Sequence, residues 1–534
     1  MKKLTKTLLL TAVLSAGLSM PAMAANVQAA LPSFPVTLNG TVIDNSYRQY
    51  PLLVYNNITY FPMTYYDCRF LGVETEWTQA SGLKIEKSNL TGAYHQQNVQ
   101  QKNSGKATAQ LATGKIAVNG KAITNSKEQY PLLVYRDVTY FPLTWRFAVD
   151  EFGWKYSYDN KNGLIIDAGN VKTSSVTLQD AQQTKYREDV FNFAIDGKYL
   201  YYEGEKGSVY RRPLAALGDD KQRRTIKQVG YLGNVYPNFE IWEQSGVIYL
   251  KHPDIGNGHN QCRYRVNSSG STEKLECLTG DDYVDFGSFQ LKTQGIGQAG
   301  PCSGPIILIV NGIQKDFGKA EYYYSIRANH GPLPYAQKEK QIYVLAAPKY
   351  YADCYLYAMD LDTANMKQLS KEKIEEYAYA DNMLYFTHKK IEQDDSRYSQ
   401  ELYVQNLATG QTQFLAKLVS SRYFDEKFAA TKNGVYYREW ENGGLFFWNK
   451  YTGKKETVNA GFTVYDVYYQ NGYIVAHFEE VPENPYRLMV FAPSGQTMKQ
   501  VYATADCSDK AVINANGLLL YRLEDTNQLV QVQL

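Results

Sequence analysis

A chain of 534 residues is too long for one ordinary domain and divides into two to four. Its 56 Lys and Arg balance 54 Asp and Glu, which leaves no basic excess to hold nucleic acid or an anionic membrane surface. The 47 tyrosines suit half-buried strands, where one side of the ring packs and the hydroxyl finds a polar partner.

Lys2, Lys3 and Lys6 precede a short apolar run from Leu8 to Leu18, and Ala22-Met23-Ala24 has the small-residue pattern of a leader cleavage site. Residues 1–24 are expected to be a signal peptide, with a secreted, extracytoplasmic chain beginning at Ala25. The run is too short to span a bilayer. No cysteine follows the cleavage point to carry a lipid and no apolar tail closes the chain, so no transmembrane segment is expected in the mature protein.

Two segments then repeat. Val36-Thr37-Leu38-Asn39-Gly40, Tyr50-Pro51-Leu52-Leu53-Val54-Tyr55 and Thr59-Tyr60-Phe61-Pro62 return as Ile116-Ala117-Val118-Asn119-Gly120, Tyr130-Pro131-Leu132-Leu133-Val134-Tyr135 and Thr139-Tyr140-Phe141-Pro142, all offset by 80. Gly82-Leu83-Lys84-Ile85 matches Gly163-Leu164-Ile165-Ile166 with one inserted residue. Each Asn-Gly predicts a hairpin turn. Pro62 and Pro142 are placed to open helices that stop at Gly72 and Gly153. One small sheet wrapped on one helix is the expected unit. This pattern resembles the copper amine oxidase N-terminal, or stalk, domain family over residues 36–87 and 115–168. The resemblance implies an exported accessory module; the Asn-Tyr-Asp/Glu and His-x-His motifs that oxidase chemistry requires do not occur. The division is residues 31–90 and 111–170 for the two repeats, with 91–110 as a polar linker rich in Gln, Asn and Ser.

Residues 172–534 carry a different recurrence. Asn433-Gly434-Val435-Tyr436-Tyr437 has counterparts beginning at Asp196, Ser245, Lys340, Asp381, Asn471 and Asn516, each a tight turn feeding an aromatic and β-branched run. Outer hairpins such as Leu402-Tyr403-Val404 before Thr409-Gly410 follow them. A spacing of roughly 40–50 residues is that of a β-propeller blade. The fold class expected is mainly β: two small α+β repeats, then a propeller of seven or eight blades. The chain ends on what reads as a third strand, 529–534, and Ser174 to Leu178 is free to supply the fourth and remove the exposed edge. The repeats resemble, in architecture alone, propellers of exported bacterial proteins and, more distantly, TolB-like ones.

Chemistry-bearing patterns are thin. Gly295-Ile296-Gly297-Gln298-Ala299-Gly300 fits the dinucleotide fingerprint, but Pro301 follows where a helix must start. The six histidines lack metal-ligand spacing, and the loop between His252 and His259 lacks a calcium-loop pattern. Acid clusters at Asp281, Asp282 and Asp285, at Asp394-Asp395 and at Glu479-Glu480 are candidates for a two-carboxylate glycoside site. Cys262 and Cys277 are spaced to bridge one hairpin. Paired tyrosines put one ring on each strand face, which makes Tyr323, Tyr351, Tyr437 and Tyr469 candidate ligand-facing aromatics. No catalytic, cofactor or metal residue is assigned. The function expected is a non-catalytic cell-envelope binding or scaffold protein, with the propeller face as platform for a protein, peptide or wall glycan. The alternative is a glycan-active lyase or glycosidase using loop carboxylates in the channel.

Overall fold

The computed structural model describes residues 25–534 except 89, 95, 172, 182–191, 231–237, 255–259, 279–281, 294–301, 303, 327–329, 351, 392–397, 419–426, 440–442, 460–462, 480–485 and 524–527. The stretch read as a signal peptide, residues 1–24, therefore lies outside the described residues. The chain is mainly β and makes an interlocked N-terminal unit followed by a succession of antiparallel sheets.

The first copy of the duplicated unit supplies β1 (Asn26–Ala30), β2 (Val36–Leu38), β3 (Thr41–Val42), β4 (Leu53–Tyr55), β5 (Ile58–Pro62), helix α1 (Tyr65–Phe70), β6 (Val73–Thr78) and β7 (Gly82–Lys87). The second supplies β8 (Lys106–Leu111), β9 (Ile116–Val118), β10 (Lys121–Ile123), β11 (Leu133–Tyr135), β12 (Val138–Pro142), a π-helix (Arg146–Glu151), β13 (Lys155–Asp159) and β14 (Gly163–Asp167). The expected arrangement of one sheet per copy is replaced by an exchange. β7 lies parallel to β9 in the sheet β10-β9-β7-β6, and β14 lies parallel to β2 in the sheet β13-β14-β2-β3. The other strands close a barrel in the order β1-β4-β5-β12-β11-β8. Equivalent residues face each other at two of its seams, Gln28 opposite Thr108 and Phe61 opposite Phe141. Duplication in sequence has become a pseudo-two-fold in space.

Particular residues enforce the exchange. Gly82 has φ +73°, and a Cβ there would lie 2.2 Å from the Lys115 carbonyl oxygen; Gly163, at φ +68°, would meet Pro35 at 2.0 Å. Only glycine permits that conformation and that approach. The Asn-Gly turns form as expected, with positive φ at both residues, and each asparagine also reaches the other copy. Asn39 accepts the Ala168 N–H at 2.8 Å and donates to the Phe70 carbonyl at 2.6 Å. Asn119 accepts the Lys87 N–H at 2.8 Å and donates to the Glu151 carbonyl at 2.9 Å.

The helix starts differ from expectation. Pro62 and Pro142 end β5 and β12, and α1 begins at Tyr65 after Thr64, whose Oγ1 accepts the Asp67 N–H at 3.2 Å. A side-chain cap satisfies a first-turn donor, and strand pairing across the pseudo-two-fold claims both prolines. Gly72 and Gly153 follow the helices with φ +68° and +70°. The inserted residue sits inside the second helix: the offset is 80 at Thr64 and Thr144 and 81 at Gly72 and Gly153. The extra residue widens the turn, so the Phe152 N–H reaches back five residues to the Phe147 carbonyl at 3.1 Å, a π-type bond. Strand β8 falls mostly in the stretch read as linker. Its inward residues, Ala107 and Ala109, are small because they pack in the barrel core with Tyr60 and Tyr140, and small side chains leave a weak apolar pattern.

After β15 (Thr173–Thr177) come six successive meanders, spanning 193–228, 240–278, 283–317, 323–368, 377–418 and 428–459. Residues 463–533 add six strands of a seven-stranded sheet whose last member is β15. Its 17-residue strand Thr497–Ile513 pairs with Tyr486–Ser494 through its first part and with Leu518–Leu523 through its last, with a register shift between Cys507 and Ala511. At the end, β15 pairs antiparallel with Gln528–Gln533, Ser175 opposite Val530, the pairing the chain end requires to cover its edge.

Side-chain hydrogen bonds tie each meander to the next. The Phe239 N–H donates to Glu203 at 2.8 Å, the Asp285 N–H to Gln244 at 2.8 Å and the Ile326 N–H to Asp282 at 3.1 Å. Tyr377 donates to the Tyr343 carbonyl at 2.6 Å, Lys450 to the Asp381 carbonyl at 3.3 Å and Asn433 to the Thr497 carbonyl at 2.6 Å. The Ile513 N–H donates to Gln470 at 3.0 Å, and Asn514 returns to the Asp196 carbonyl of the first meander at 3.1 Å. Such bonds satisfy backbone groups that would otherwise be buried without partners. The N-terminal unit docks on the last sheet: the Thr91 N–H donates to the Ala503 carbonyl at 2.6 Å, and Arg487 reaches Glu74 at 3.3 Å.

Asn39→Ala is expected to remove three hydrogen bonds, to Phe70, Asn170 and Ala168, at a buried position and lower the stability of the N-terminal unit by about 1–3 kcal/mol. Differential scanning calorimetry of the full chain reads it as a downward shift of that unit's transition.

Candidate binding cleft

Two turns of adjoining sheets frame the cleft. In the first meander, Asp196 closes the turn before Tyr199: its Oδ1 accepts the N–H of Lys198 at 2.6 Å and of Tyr199 at 2.7 Å. Its Oδ2 accepts the Tyr201 hydroxyl at 2.9 Å. Burial, and then the Asp196 carboxylate beside it, raise the Tyr201 pKa, so this phenol stays a donor. Across from it, Gly246, Arg265 and Asn267 of the second meander complete a cleft of about 660 Å³, within the size range of small-ligand sites.

One residue braces the two sides. Arg211 sets its guanidinium 4.6 Å from the Tyr199 ring centroid and donates to the Ser269 carbonyl at 2.6 Å. Gly270, at φ +89°, leaves the room for it, since a Cβ there would lie 2.3 Å from the guanidinium. The half-buried Tyr199 ring is thus held by a cation–π contact. The cleft offers a fixed aromatic ring, the cations Lys198 and Arg265, and a carboxylate whose oxygens are already engaged.

The residues singled out from sequence fall elsewhere. Tyr437 is 1% exposed and packs between the fifth and sixth meanders, so no ligand reaches its ring. Tyr323 lies 5.5 Å from the Tyr350 ring and packs on a core cluster; Tyr469 packs on another, and burial raises its pKa. Both are half-buried. At Tyr437 the paired-tyrosine argument fails because inter-sheet packing claims both faces of its strand, Tyr436 in one cluster and Tyr437 in another. Tyr351, the GxGxxG segment, Asp281, Asp394-Asp395, Glu480, His95 and His259 lie outside the described residues.

The candidate carboxylates that are described serve structure. Asp282 accepts Ser325 Oγ at 2.9 Å as well as the Ile326 N–H, and Asp285 accepts the Tyr249 hydroxyl and the Gly287 N–H. Cys262 is disulfide-bonded and stands opposite Cys277 in register, whereas Cys68, Cys302, Cys354 and Cys507 are not in a disulfide. His252 is buried between the rings of Phe239 and Tyr264. His330 belongs to a segment that leaves the fourth meander after Ser325 and returns at Tyr335. Its ring stacks on Phe428 at 4.6 Å and its carbonyl accepts the Ala430 N–H at 2.6 Å. Gly331 follows, close to Ala378 and Ala430 of the fifth and sixth meanders.

No signal in the sequence links 196–201 with 265–268. Asp196-Gly197-Lys198 reads as a turn and nothing marks Arg265, because only packing of one meander on the next brings them together.

No family model matches the chain and no curated protein matches it. Among solved structures it is similar to the computationally designed Ika8 protein, at 10% identity and TM-score 0.37 over 67% of this chain and 98% of that one. It is also similar to an oligogalacturonate lyase in complex with manganese (12%, TM-score 0.32, 58% of this chain and 78% of that one). The tricorn protease gives 11% and 0.33 over 89% of this chain and 46% of that one. At these values nothing of their chemistry transfers, and the functional reading rests on this chain's own residues. Among the described residues no helix is long and apolar enough to cross a membrane, and no three His, Cys, Asp or Glu side chains are grouped to hold a metal ion.

His477 generates a pH dependence. Full burial lowers its pKa to about 4, against 6.5 for a solvated imidazole. Between those values the unfolded chain holds one proton more, so this contribution is complete above pH 6.5 and is lost as pH falls toward 4. The loss amounts to about 3 kcal/mol. Melting temperatures measured from pH 7 to 4 are expected to fall, and His477→Leu to flatten that fall.

Proposed function

We infer that this is an exported, non-catalytic binding protein in which two stalk-like repeats precede an eight-bladed propeller. The six meanders supply six blades, and the seven-stranded sheet supplies two that share the strand Thr497–Ile513. Seven inter-sheet hydrogen bonds, the last returning from Asn514 to Asp196, together with the Ile513–Gln470 bond inside the seven-stranded sheet, support closure into a ring. In such a ring the His330-Gly331 segment, seated on the fifth and sixth meanders, fills the centre. That moves the ligand from the channel to the cleft between the first two blades.

One observation carries the binding reading. The cleft's carboxylate, on Asp196, accepts two backbone N–H groups and the Tyr201 hydroxyl, so both of its oxygens are engaged in holding the turn. What remains free to meet a ligand is the braced Tyr199 ring with Lys198 and Arg265. These suit a polar chain with flat or hydroxylated units, a peptide or a wall glycan. Extracytoplasmic placement rests on the leader pattern of residues 1–24. The Cys262–Cys277 bridge fits that setting, and peptide mapping without reduction is expected to recover residues 262 and 277 in one linked fragment.

The test is co-sedimentation of chain 25–534 with purified cell-wall material. Retention is expected, and Tyr199→Ala is expected to weaken it by about tenfold, as loss of an aromatic anchor does. Undiminished retention of the variant sinks the cleft assignment. Release of soluble sugars on incubation replaces the binding reading with a glycan-active lyase or glycosidase.

A further inference from the structure

A second hollow lies where the N-terminal unit meets the last sheet. It encloses about 560 Å³, and three separate parts of the chain line it. From the first copy of the duplicated unit come Gly72, after α1, and Lys87 and Ser88 at the end of β7. From the second come Trp154, after Gly153, and Gly169 and Asn170 beyond β14. Lys499, Gln500 and Tyr502 of the strand Thr497–Ile513 complete it, with Thr91 from the connection between the copies. The copies cross over here: Asn170 stands at Gly72, and Lys87 at Gly153. No single segment of the chain contains the pocket.

Its walls are held in place. Asn170 accepts a hydrogen bond from Asn39 at 2.8 Å and donates to the Phe70 carbonyl at 3.2 Å. The Tyr502 hydroxyl donates to the Thr91 carbonyl at 3.4 Å and meets the Tyr521 hydroxyl at 3.0 Å. Trp154 stacks on Phe152 at 4.9 Å. Gly153, at φ +70°, keeps space for Lys87, since a Cβ there would lie 3.1 Å from Nζ. The lining is also of one sign. Among the described residues it carries two ammonium groups, Lys87 and Lys499, and no carboxylate, in a chain of nearly balanced charge. The adjoining acids are engaged: Glu74 accepts Ser88 Oγ at 3.3 Å and faces Arg69 at 3.4 Å and Arg487 at 3.3 Å, and Asp167 accepts the Gly169 N–H at 3.1 Å. Among the described residues neither lysine forms an ion pair, and neither the Thr91 hydroxyl nor the Gln500 side-chain amide makes a hydrogen bond. Thr91 is only 3% exposed, and at such a position a hydroxyl without a partner is unfavourable.

We propose that this junction pocket binds a phosphate-bearing small molecule. Charge and donor type select the ligand. Lysine ammonium ions are compact point charges suited to a phosphoryl group, and the planar arginine fork that pairs side-on with a carboxylate does not occur in the lining. The Thr91 hydroxyl and the Gln500 amide add neutral donors for phosphoryl oxygens. The volume is that of a small-ligand site, and such sites form preferentially where two packed parts of a chain meet. One lysine belongs to the duplicated unit and the other to the last sheet, so a ligand held by both strengthens their docking by mass action. This inference rests neither on the cleft beside Tyr199 nor on export of the chain.

The test is isothermal titration calorimetry of chain 25–534 with inorganic pyrophosphate, run beside citrate as a polycarboxylate and glucose as a neutral control. Saturable binding of pyrophosphate is expected, weakening as salt is added. Lys87→Gln with Lys499→Gln is expected to weaken it at least about tenfold. Both lysines are exposed, so the melting temperature of that variant without ligand is expected to be unchanged, which separates a lost site from a lost fold. Pyrophosphate is also expected to shift tryptophan emission, and Trp154→Phe to remove the shift. Tyr199→Ala is expected to leave pyrophosphate binding intact, so the two sites are tested separately. Absence of saturable pyrophosphate binding, or undiminished binding by the double-lysine variant, overturns the proposal. So does citrate binding as tight as that of pyrophosphate, because the pocket then does not select phosphate.

Discussion

The pairing of β15 with Gln528–Gln533 is the constraint on which the C-terminal two thirds depends. A strand formed before the first meander covers the edge left by the last, so a sheet edge that could otherwise recruit another chain is used within the molecule. The strand also closes the longest loop of any strand pair described, and closing a loop of this length costs little more entropy than closing one half as long. Once the ends are joined, each meander need only bond its neighbour. The inter-sheet contacts do this with one side chain apiece, often an Asp, Asn, Gln or Glu beside a turn. Polar residues at the turns thus do two things: they shape the hairpin and they satisfy a backbone group next door.

In the N-terminal unit the governing constraint is strand exchange between copies. Neither copy can complete a sheet alone, because β2 and β9 each need the tail strand of the other. The buried residues of the two copies accordingly form one continuous cluster, from Val36 through Ile85 to Ile166. The one-residue insertion is absorbed where it disturbs least. A helix can widen one turn and keep its caps, whereas an extra residue in a paired strand would turn every following side chain to the other face.

The two assemblies divide the chemistry differently. In the succession of antiparallel sheets the aromatic residues are mostly consumed by packing, as Tyr437, Tyr385 and Tyr436 show. What the surface keeps there is a cleft whose ring is held by an arginine. In the duplicated unit, rings stay in solvent at positions where the two copies otherwise differ. A tyrosine-rich composition therefore serves inter-sheet filling in the larger part and leaves some rings in solvent in the smaller.

Local turn chemistry and repetition were readable from the residues. The Asn-Gly turns, the glycines that follow each helix, the duplication and the strand-and-turn recurrence needed only near neighbours in the chain, and the structure shows each in place. The Pro62 and Pro142 helix starts were misread because the pairing of β5 with β12, 80 residues apart, decides what those prolines do. The exchange of β7 and β14 was not readable either, since Gly82 looks like any turn glycine until the Lys115 carbonyl lies against it. The cleft was invisible for the same reason, with Tyr199 and Arg265 separated by a whole meander. The sequence by itself determined the elements, their order and the repeat, because hydrogen bonds and side-chain periodicity within a few residues specify them. Which copy completes which sheet, which tyrosines remain in water and where the cleft lies were decided only by the tertiary structure, since they depend on contacts between segments far apart in the chain.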